Sequence, residues 1–339
     1  MTTLRARLNE KIETTLRPLL LGKAEHICII DAAGYPNVGD NAILLGQLNF
    51  IERNFPQARL SAYDTFSYAA GANRRIEEAS AIIISGGGNF GDIWPYHQRL
   101  RTRILEQFPH KPIIQAPQSI SFSSEAERDA MAALIARQSA FTLLVRDHKS
   151  LDFARRYFDC DVQLTPDMAF AMNPVAREPP TADYFCLLRT DKERLGDHNP
   201  ILATLRATNG TIIVDDWLEA PRDAISALDR GLQWATRRKS RLMSRMNGAV
   251  TTARRRYAES RLRHGIALLS QGKVVITDRL HGHILSCLLD IPHFAFDSAD
   301  GKISAFHEAW IAGTAGAELL ETPEQLRERL SSHATEAVQ

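Results

Sequence analysis

Short apolar runs, many of them β-branched, recur along this chain, several of them stopping at a glycine, an aspartate or an arginine. His26-Ile-Cys-Ile-Ile30 stops at Asp31, and Arg59-Leu-Ser-Ala-Tyr63 follows it. Ala81-Ile-Ile-Ile-Ser85 enters Gly86-Gly-Gly-Asn-Phe-Gly-Asp92, and Pro112-Ile-Ile-Gln-Ala116 and Phe141-Thr-Leu-Leu-Val145 continue the series. Segments with helical spacing of apolar residues lie among them, at residues 3–20, 41–54 and 124–138. A strand that is apolar on both faces belongs in a parallel sheet covered by helices on both sides. The alternation therefore predicts a doubly wound α/β fold. Three prolines between Met172 and Ala182 mark a linker. Beyond it, Tyr184-Phe-Cys-Leu-Leu188, Thr211-Ile-Ile-Val214, Lys273-Val-Val-Ile-Thr277 and His293-Phe-Ala-Phe296 open a second set of strands. A chain of 339 residues exceeds the usual single core. The expected architecture is two Rossmann-like domains facing a cleft, residues 1–175 and 180–339.

The strand ends carry the chemistry. Asp278, Arg279 and His281 directly follow one predicted strand, and Ile284–Leu289 reads as the packed helix after it. Open α/β sheets bind anions at that place, because unpaired helix N–H groups and the helix dipole face the crevice. Arginine offers a planar fork to carboxylate or phosphate, and histidine exchanges a proton near neutral pH. Arg189 ends another strand and is a second clamp candidate; Arg146 is comparable, but could equally form an ion pair within its own domain. Asn37-Val-Gly-Asp40 follows the first strand, where Asp40 either points its carboxylate at a ligand or simply caps the helix. Gly86-Gly-Gly-Asn-Phe-Gly-Asp92 lacks the spacing of a nucleotide P-loop or a dinucleotide fingerprint, and its position at a strand end favours close ligand approach. His281 and His283 diverge as i and i+2 neighbours with no third clustered ligand visible, which argues against zinc and leaves His283 a structural role.

Lys+Arg 41 against Asp+Glu 40 give a net charge of +1, so the chain as a whole offers nothing to nucleic acid. Residues 230–263 are the local exception, with eleven Lys and Arg against Glu259 alone. Trp234, Leu242 and Met246 lie among Arg237, Arg238, Arg241, Arg254, Arg255 and Arg256, the pattern of a basic amphipathic element for an anionic membrane surface; a solvated helical face is the alternative, and RNA binding a weaker one, since no recognisable RNA module is present. Cys28, Cys160, Cys186 and Cys287 are widely spaced, which reads as buried thiols in a reducing cytoplasm. Neither a signal-peptide core nor a membrane span is visible, so a cytoplasmic protein is expected, with that basic element as its candidate contact with the inner face of the plasma membrane.

Taken in order, Asn37-Val-Gly-Asp40, Gly86-Gly-Gly-Asn89, Arg189-Thr-Asp191, Asp278-Arg-Leu-His-Gly282 and Asp297-Ser298 with Lys302 resemble the polysaccharide pyruvyl transferase family, in its bacterial exopolysaccharide branch. The likeness spans nearly the whole chain; one departure is Ala299, where a Ser-Tyr pair is usual. The resemblance implies a glycosyltransferase-B-like pair of Rossmann domains. It also implies transfer of an enolpyruvyl unit from phosphoenolpyruvate to two sugar hydroxyls as a cyclic ketal, with phosphate released and no metal or organic cofactor required. On the same resemblance, Arg189, Arg279, Leu280, His281, Ser298 and Lys302 bind phosphoenolpyruvate, and His281 is the general acid. Asn37, Gly39, Asp40, Gly87, Gly88 and Asn89 belong to the side that holds the sugar or lipid-linked oligosaccharide acceptor. Asp40 and Asp92 are candidates for the base, on placement. Two other readings are a nucleotide-sugar glycosyltransferase, for which no acidic ribose-binding residue is convincingly placed, and a non-catalytic sugar- or membrane-binding protein, against which the intact Arg189, Arg279 and His281 speak.

Overall fold

A computed structural model describes residues 3–64, 73–191, 195–218 and 247–336, together with the isolated positions 227 and 231. The chain divides into two compact units. One comprises Ala6–Asn173 and Ala220–Leu262, and the other Met1–Arg5, Pro174–Glu219 and Arg263–Gln339.

The first unit is built on a parallel sheet. Its strands are β1 (His26–Ile30), β2 (Arg59–Tyr63), β3 (Ala81–Ile84), β4 (Gly87–Gly91), β5 (Ile113–Ser121), β6 (Phe141–Val145) and β7 (Asp161–Leu164). They lie in the order β2-β1-β3-β5-β6-β7, with β4 also paired to β5. Every residue of β1 is buried, as a strand covered on both faces must be. Strand β5 does double duty because its register shifts between Gln115 and Gln118. Its first half pairs with β3 and its second with β4. Pro117, which has no N–H to give a ladder, sits in the shift. The side-chain amides of Gln115 and Gln118 both donate to the Ser85 carbonyl there, which gives that buried acceptor partners at the break. The core runs from Cys28 and Ile30 through Ile82, Ile84, Leu143 and Val145 to helix residues Ile104 and Leu134.

Basic residues assigned by chain order to the second domain pack into this first unit. In the helix Asn247–Ser270, Thr251 Oγ1 accepts from the Ala62 N–H, and Arg254 forms a buried ion pair with Asp64 at 2.6 Å. Tertiary pairing to the end of β2 outweighs sequence proximity.

The second unit holds β8 (Ala182–Leu187), β9 (Ile212–Asp215), β10 (Gly272–Thr277), β11 (His293–Phe296) and β12 (Ala317–Leu320), all parallel, in the order β12-β11-β10-β8-β9. Cys186, Ile276, Phe294, Leu205 and Leu326 centre its core. Both sheets are wound alike. The second strand lies on one side of the first and the third strand on the other, so the winding reverses at β1/β3 and again at β8/β10. Ligands of open α/β sheets bind outside the carboxyl ends of the strands at such a reversal.

Candidate functional site

At the β8/β10 reversal the sequence-selected arginines meet. Arg189 follows β8, and its backbone N–H donates to Asp278. Its guanidinium makes a two-point bond to Asp191, Nε to Oδ1 at 2.9 Å and Nη2 to Oδ2 at 3.2 Å. Arg279 follows β10 at the N-cap of the helix Leu280–Leu288, and its Nη2 reaches Asp191 at 3.3 Å and Asp216 at 2.6 Å. Asp191 thus bridges both arginines, while Asp216 also accepts from the Thr190 N–H and hydroxyl. Nearly buried guanidinium groups need such counter-charges, and an incoming carboxylate or phosphate would exchange with them. His198, which sequence reasoning did not select, bonds through Nε2 to the other oxygen of Asp278 at 2.8 Å.

Leu280 and half-buried His281 lie in the first turn of the helix after Arg279, where the N–H groups and dipole favour an anion. Gly282 explains why the helix sits so close. A Cβ there would come within 2.4 Å of Thr277 Oγ1. That hydroxyl is held in place, donating to the Leu187 carbonyl and accepting from the Arg279 N–H. Ser298 and Lys302 follow the neighbouring strand β11 and converge on Asp300, at 2.7 and 2.6 Å. Asp297 accepts from the Ile303 N–H and so starts the helix Lys302–Phe306.

The β1/β3 reversal carries a second cluster, largely missed from sequence. Asp31, the residue after β1, is buried and adopts φ 62°, a left-handed backbone uncommon for a residue with a side chain. Both of its oxygens lie 2.8 Å from His97 Nδ1, and Asn89 Nδ2 donates to it at 3.2 Å. Asn89 is held in that orientation because its Oδ1 accepts from Arg101 and Gln118. Arg101 is buried, stands 4.3 Å over the Phe90 ring and bonds to Gln115 and Gln98; burial lowers its pKa to about 10, against the pull of Asp31. Burial works against charge on His97, but the hydrogen bond to Asp31 and the charges of Asp31 and Asp40 carry the net shift upward.

Asn37, not Asp40, caps the helix Val38–Asn54, accepting from the Gly39 N–H. Asp40 is thereby left in the first turn, where it hydrogen-bonds Tyr35. Burial first, and then the charges of Asp40 and Asp31, push the Tyr35 phenol well above its usual range. Gly87, at φ 128°, faces this carboxylate: a Cβ there would lie 3.4 Å from Asp40 Oδ1. Gly88 and Asn89 continue β4. Asp92 does not suit the role of base. Both its oxygens accept from the Ser123 N–H, and one also from the Ser123 hydroxyl and the Ser124 N–H; these bonds hold its pKa low despite its partial burial. Arg146 is likewise structural, paired with Asp167 at 2.7 Å and almost wholly buried.

Of the arginines assigned to a membrane surface, Arg237, Arg238 and Arg241 fall outside the described residues. Arg254 is buried on Asp64, which removes it from any membrane contact; Arg255 pairs with Glu52, and Arg256 is exposed. Among the described residues no helix is long and apolar enough to cross a membrane.

One group of possible metal ligands stands out among the described residues: His283, Cys287 and His293, rather than His281 with His283. His283 Nδ1 and His293 Nε2 are 2.6 Å apart, and His283 Nε2 is 3.1 Å from His307 Nδ1. Two nitrogens on one tetrahedral zinc would stand roughly 3.3 Å apart, so the close pair is a hydrogen bond. Burial lowers the pKa of His283 and takes that of His293 to about 4.

A family model described as polysaccharide pyruvyl transferase matches residues 37–300. The chain is 32% identical to pyruvyl transferase 1 of Schizosaccharomyces pombe over 85% of its own length and 70% of the yeast protein. It is 28% identical to the putative pyruvyl transferase EpsO of Bacillus subtilis, over 93% of this chain and 94% of that one. In fold it is similar to a functionally uncharacterized protein of Klebsiella pneumoniae, with a TM-score of 0.55 at 18% identity, covering 92% of this chain and 99% of the other.

Proposed function

The chain belongs to the polysaccharide pyruvyl transferase family and is a transferase, and from that premise we propose that it moves the enolpyruvyl unit of phosphoenolpyruvate onto two hydroxyls of an exopolysaccharide sugar. The product is a cyclic pyruvate ketal, and phosphate leaves. The observation that carries this reading is the pair Arg189 and Arg279 at one sheet reversal, tied together by Asp191 beside a helix amino terminus. Phosphoenolpyruvate presents a carboxylate and a phosphate, which two guanidinium forks match. His281 protonates the methylene carbon, the adjacent carbon becomes cationic, and a sugar hydroxyl attacks it. After phosphate departs, the second hydroxyl closes the ring. Of the two hydroxyl protons, one ends on the new methyl group and the other leaves with phosphate, so no cofactor is needed for balance. Ser298 and Lys302 complete the donor side, and the unit containing Asn37, Gly39, Asp40, Gly87, Gly88 and Asn89 takes the acceptor.

The exopolysaccharide setting is supported by the similarity to EpsO. A lipid-linked acceptor on the cytoplasmic leaflet would suit exposed Arg256 and the basic residues Arg237, Arg238 and Arg241, each contributing about 1 kcal/mol at an anionic surface. The test is mass spectrometry of lipid-linked oligosaccharides incubated with the protein and phosphoenolpyruvate. Gain of one pyruvyl ketal with matching phosphate release is the expected result. Phosphate-free transfer from a nucleotide sugar would replace this reading with that of a glycosyltransferase.

A further inference from the structure

Loss of phosphate from the donor carbon leaves an electron pair on the bridging oxygen, and that oxygen calls for a proton. On the transfer reading His281 delivers its own proton to the methylene carbon, so a second acid is needed beside the two arginines. The second unit holds one. His198 stands at the N-cap of the helix Asn199–Arg206, yet its side chain makes no cap bond. Asp197 takes that duty, accepting from the Asn199 N–H at 3.1 Å and from the Asn199 side-chain amide at 2.9 Å. His198 is thereby released to reach Asp278, 80 positions along the chain, with Nε2 2.8 Å from Oδ2. A carboxylate only accepts, so Nε2 carries the hydrogen and Nδ1 is the ring atom left to give or take a proton. The other oxygen of Asp278 accepts from the Arg189 N–H at 2.8 Å. One buried carboxylate therefore fixes the imidazole and the strand-end arginine against each other. The imidazole keeps 13% of its surface exposed and the carboxylate 4%, so the ring is the member within reach of a ligand. All of these groups belong to one compact unit.

We propose that His198 is the acid that releases phosphate, giving its Nδ1 proton to the bridging oxygen, and that Asp278 is its positioning residue. The step acts on the adduct formed when the first sugar hydroxyl has joined the donor carbon. The C–O bond to phosphate breaks, its electron pair goes to the bridging oxygen, and the Nδ1–H proton follows it. The carbon is left cationic, and the second hydroxyl closes the ketal and gives its proton to solvent, from which the imidazole is recharged. Two histidines thus divide the protons. His281, in the first turn of the helix after β10, serves carbon, and His198, at the start of the helix after β8, serves oxygen. An imidazole held by a carboxylate on one nitrogen and open on the other is the usual form of such a group.

The inference rests on the transfer reading above, and the species that accumulates separates the two. Full-length wild type, His198→Gln and His198→Asn are mixed with phosphoenolpyruvate and either extracted lipid-linked oligosaccharides or a panel of p-nitrophenyl hexosides. Products are followed by rapid quench and mass spectrometry, and donor affinity is measured beside them by calorimetry. Glutamine can still donate to Asp278 but cannot pass a proton; asparagine, a favoured N-cap, serves if the glutamine variant does not fold. Phosphate release is expected to fall about a hundredfold in each, with donor affinity within about threefold of wild type. In His198→Gln the acceptor is expected to gain the whole mass of phosphoenolpyruvate before any ketal appears, an adduct that a merely structural lesion has no reason to accumulate. Phosphate release within about threefold of wild type in either folded variant overturns the inference and leaves the transfer reading standing. So does a slowed His198→Gln enzyme that builds up no such adduct. A wild type that releases no phosphate with any acceptor overturns the transfer reading and this inference with it.

Discussion

At the end of β1 a carboxylate gathers a histidine and an amide around it, whereas at the ends of β8 and β10 two arginines gather carboxylates. Both places are reversals of a parallel sheet with the same winding. In the first, Asp31 accepts from His97 and Asn89, and Arg101, whose charge it favours, is buried in bonds to neighbouring amides. In the second, Arg189 and Arg279 share Asp191, and Asp278 is turned to a backbone N–H and to His198. The fold supplies the location, and the side chains within a few residues of each strand end set the charge gathered there. On the proposed reading, the cations serve an anionic donor and the hydrogen-bonding carboxylates a hydroxylic acceptor.

The comparison breaks most readily at Arg279. Arg279→Ala removes a nearly buried cation and is expected to weaken phosphoenolpyruvate binding by about 3 kcal/mol, more than a hundredfold in Kd, read by calorimetry. Unchanged affinity would move the donor away from the second reversal. His281→Gln should cost turnover about a hundredfold while donor affinity persists, since the role proposed for the side chain is in the chemical step; single-turnover assays with saturating donor decide it. A smaller effect belongs to Gly282→Ala, whose Cβ would press on Thr277 Oγ1. About 1–3 kcal/mol of stability should disappear, measured by denaturant unfolding.

The smallest effects, and the sharpest contrast, come from pH. The folded pKa of His97 is raised, so its contribution to stability is fully present below the unfolded value near 6.5 and is lost as pH rises through the folded one. His283 and His293 have lowered pKa values, so they are unfavourable to folding in acid. Their cost grows as pH falls below about 6.5 and, for His293, levels off near about 4. Hydrogen exchange resolved by peptide should show the Asp31–His97 region loosening toward alkaline pH and the His283–His293 region toward acid. Protection that changes in the same direction in both regions would contradict the assigned environments.

Strands such as His26–Ile30 and Phe141–Val145 were legible in sequence because complete burial demands an uninterrupted apolar run. The positions of Arg189 and Arg279 at strand ends were legible because each comes just after an apolar run, although Arg146, placed the same way, is buried on Asp167. The strand Gly87–Gly91 was not, since its pairing depends on the register shift beside Pro117 rather than on any pattern of its own. Strands Asp161–Leu164 and Ala317–Leu320, at sheet edges and only partly buried, carry no strong alternation. His97 and Arg101 were missed because the helix Pro95–Gln107 turns polar residues inward: Gln98 and Arg101 are among its buried side chains. A glutamine and an arginine at i and i+3, just after a glycine-rich strand end, were the available signal. Asp31 was read only as the point where a strand stops, since a single aspartate says nothing of its backbone angles.

The three linked imidazoles of the second unit have a direction. His293 Nδ1 lies 2.7 Å from the Ile291 carbonyl, which can only accept, so His293 must donate there and accept at Nε2. His283 must then donate from Nδ1 and accept at Nε2, and His307 must donate to it. One peptide oxygen thus dictates the tautomer of three side chains, the last of them, His307, lying 24 positions beyond the His283 to which it donates. Such a chain is expected to change only as one character: a glutamine or asparagine at any link must keep the same polarity, and tolerated changes at His283, His293 and His307 should be strongly epistatic.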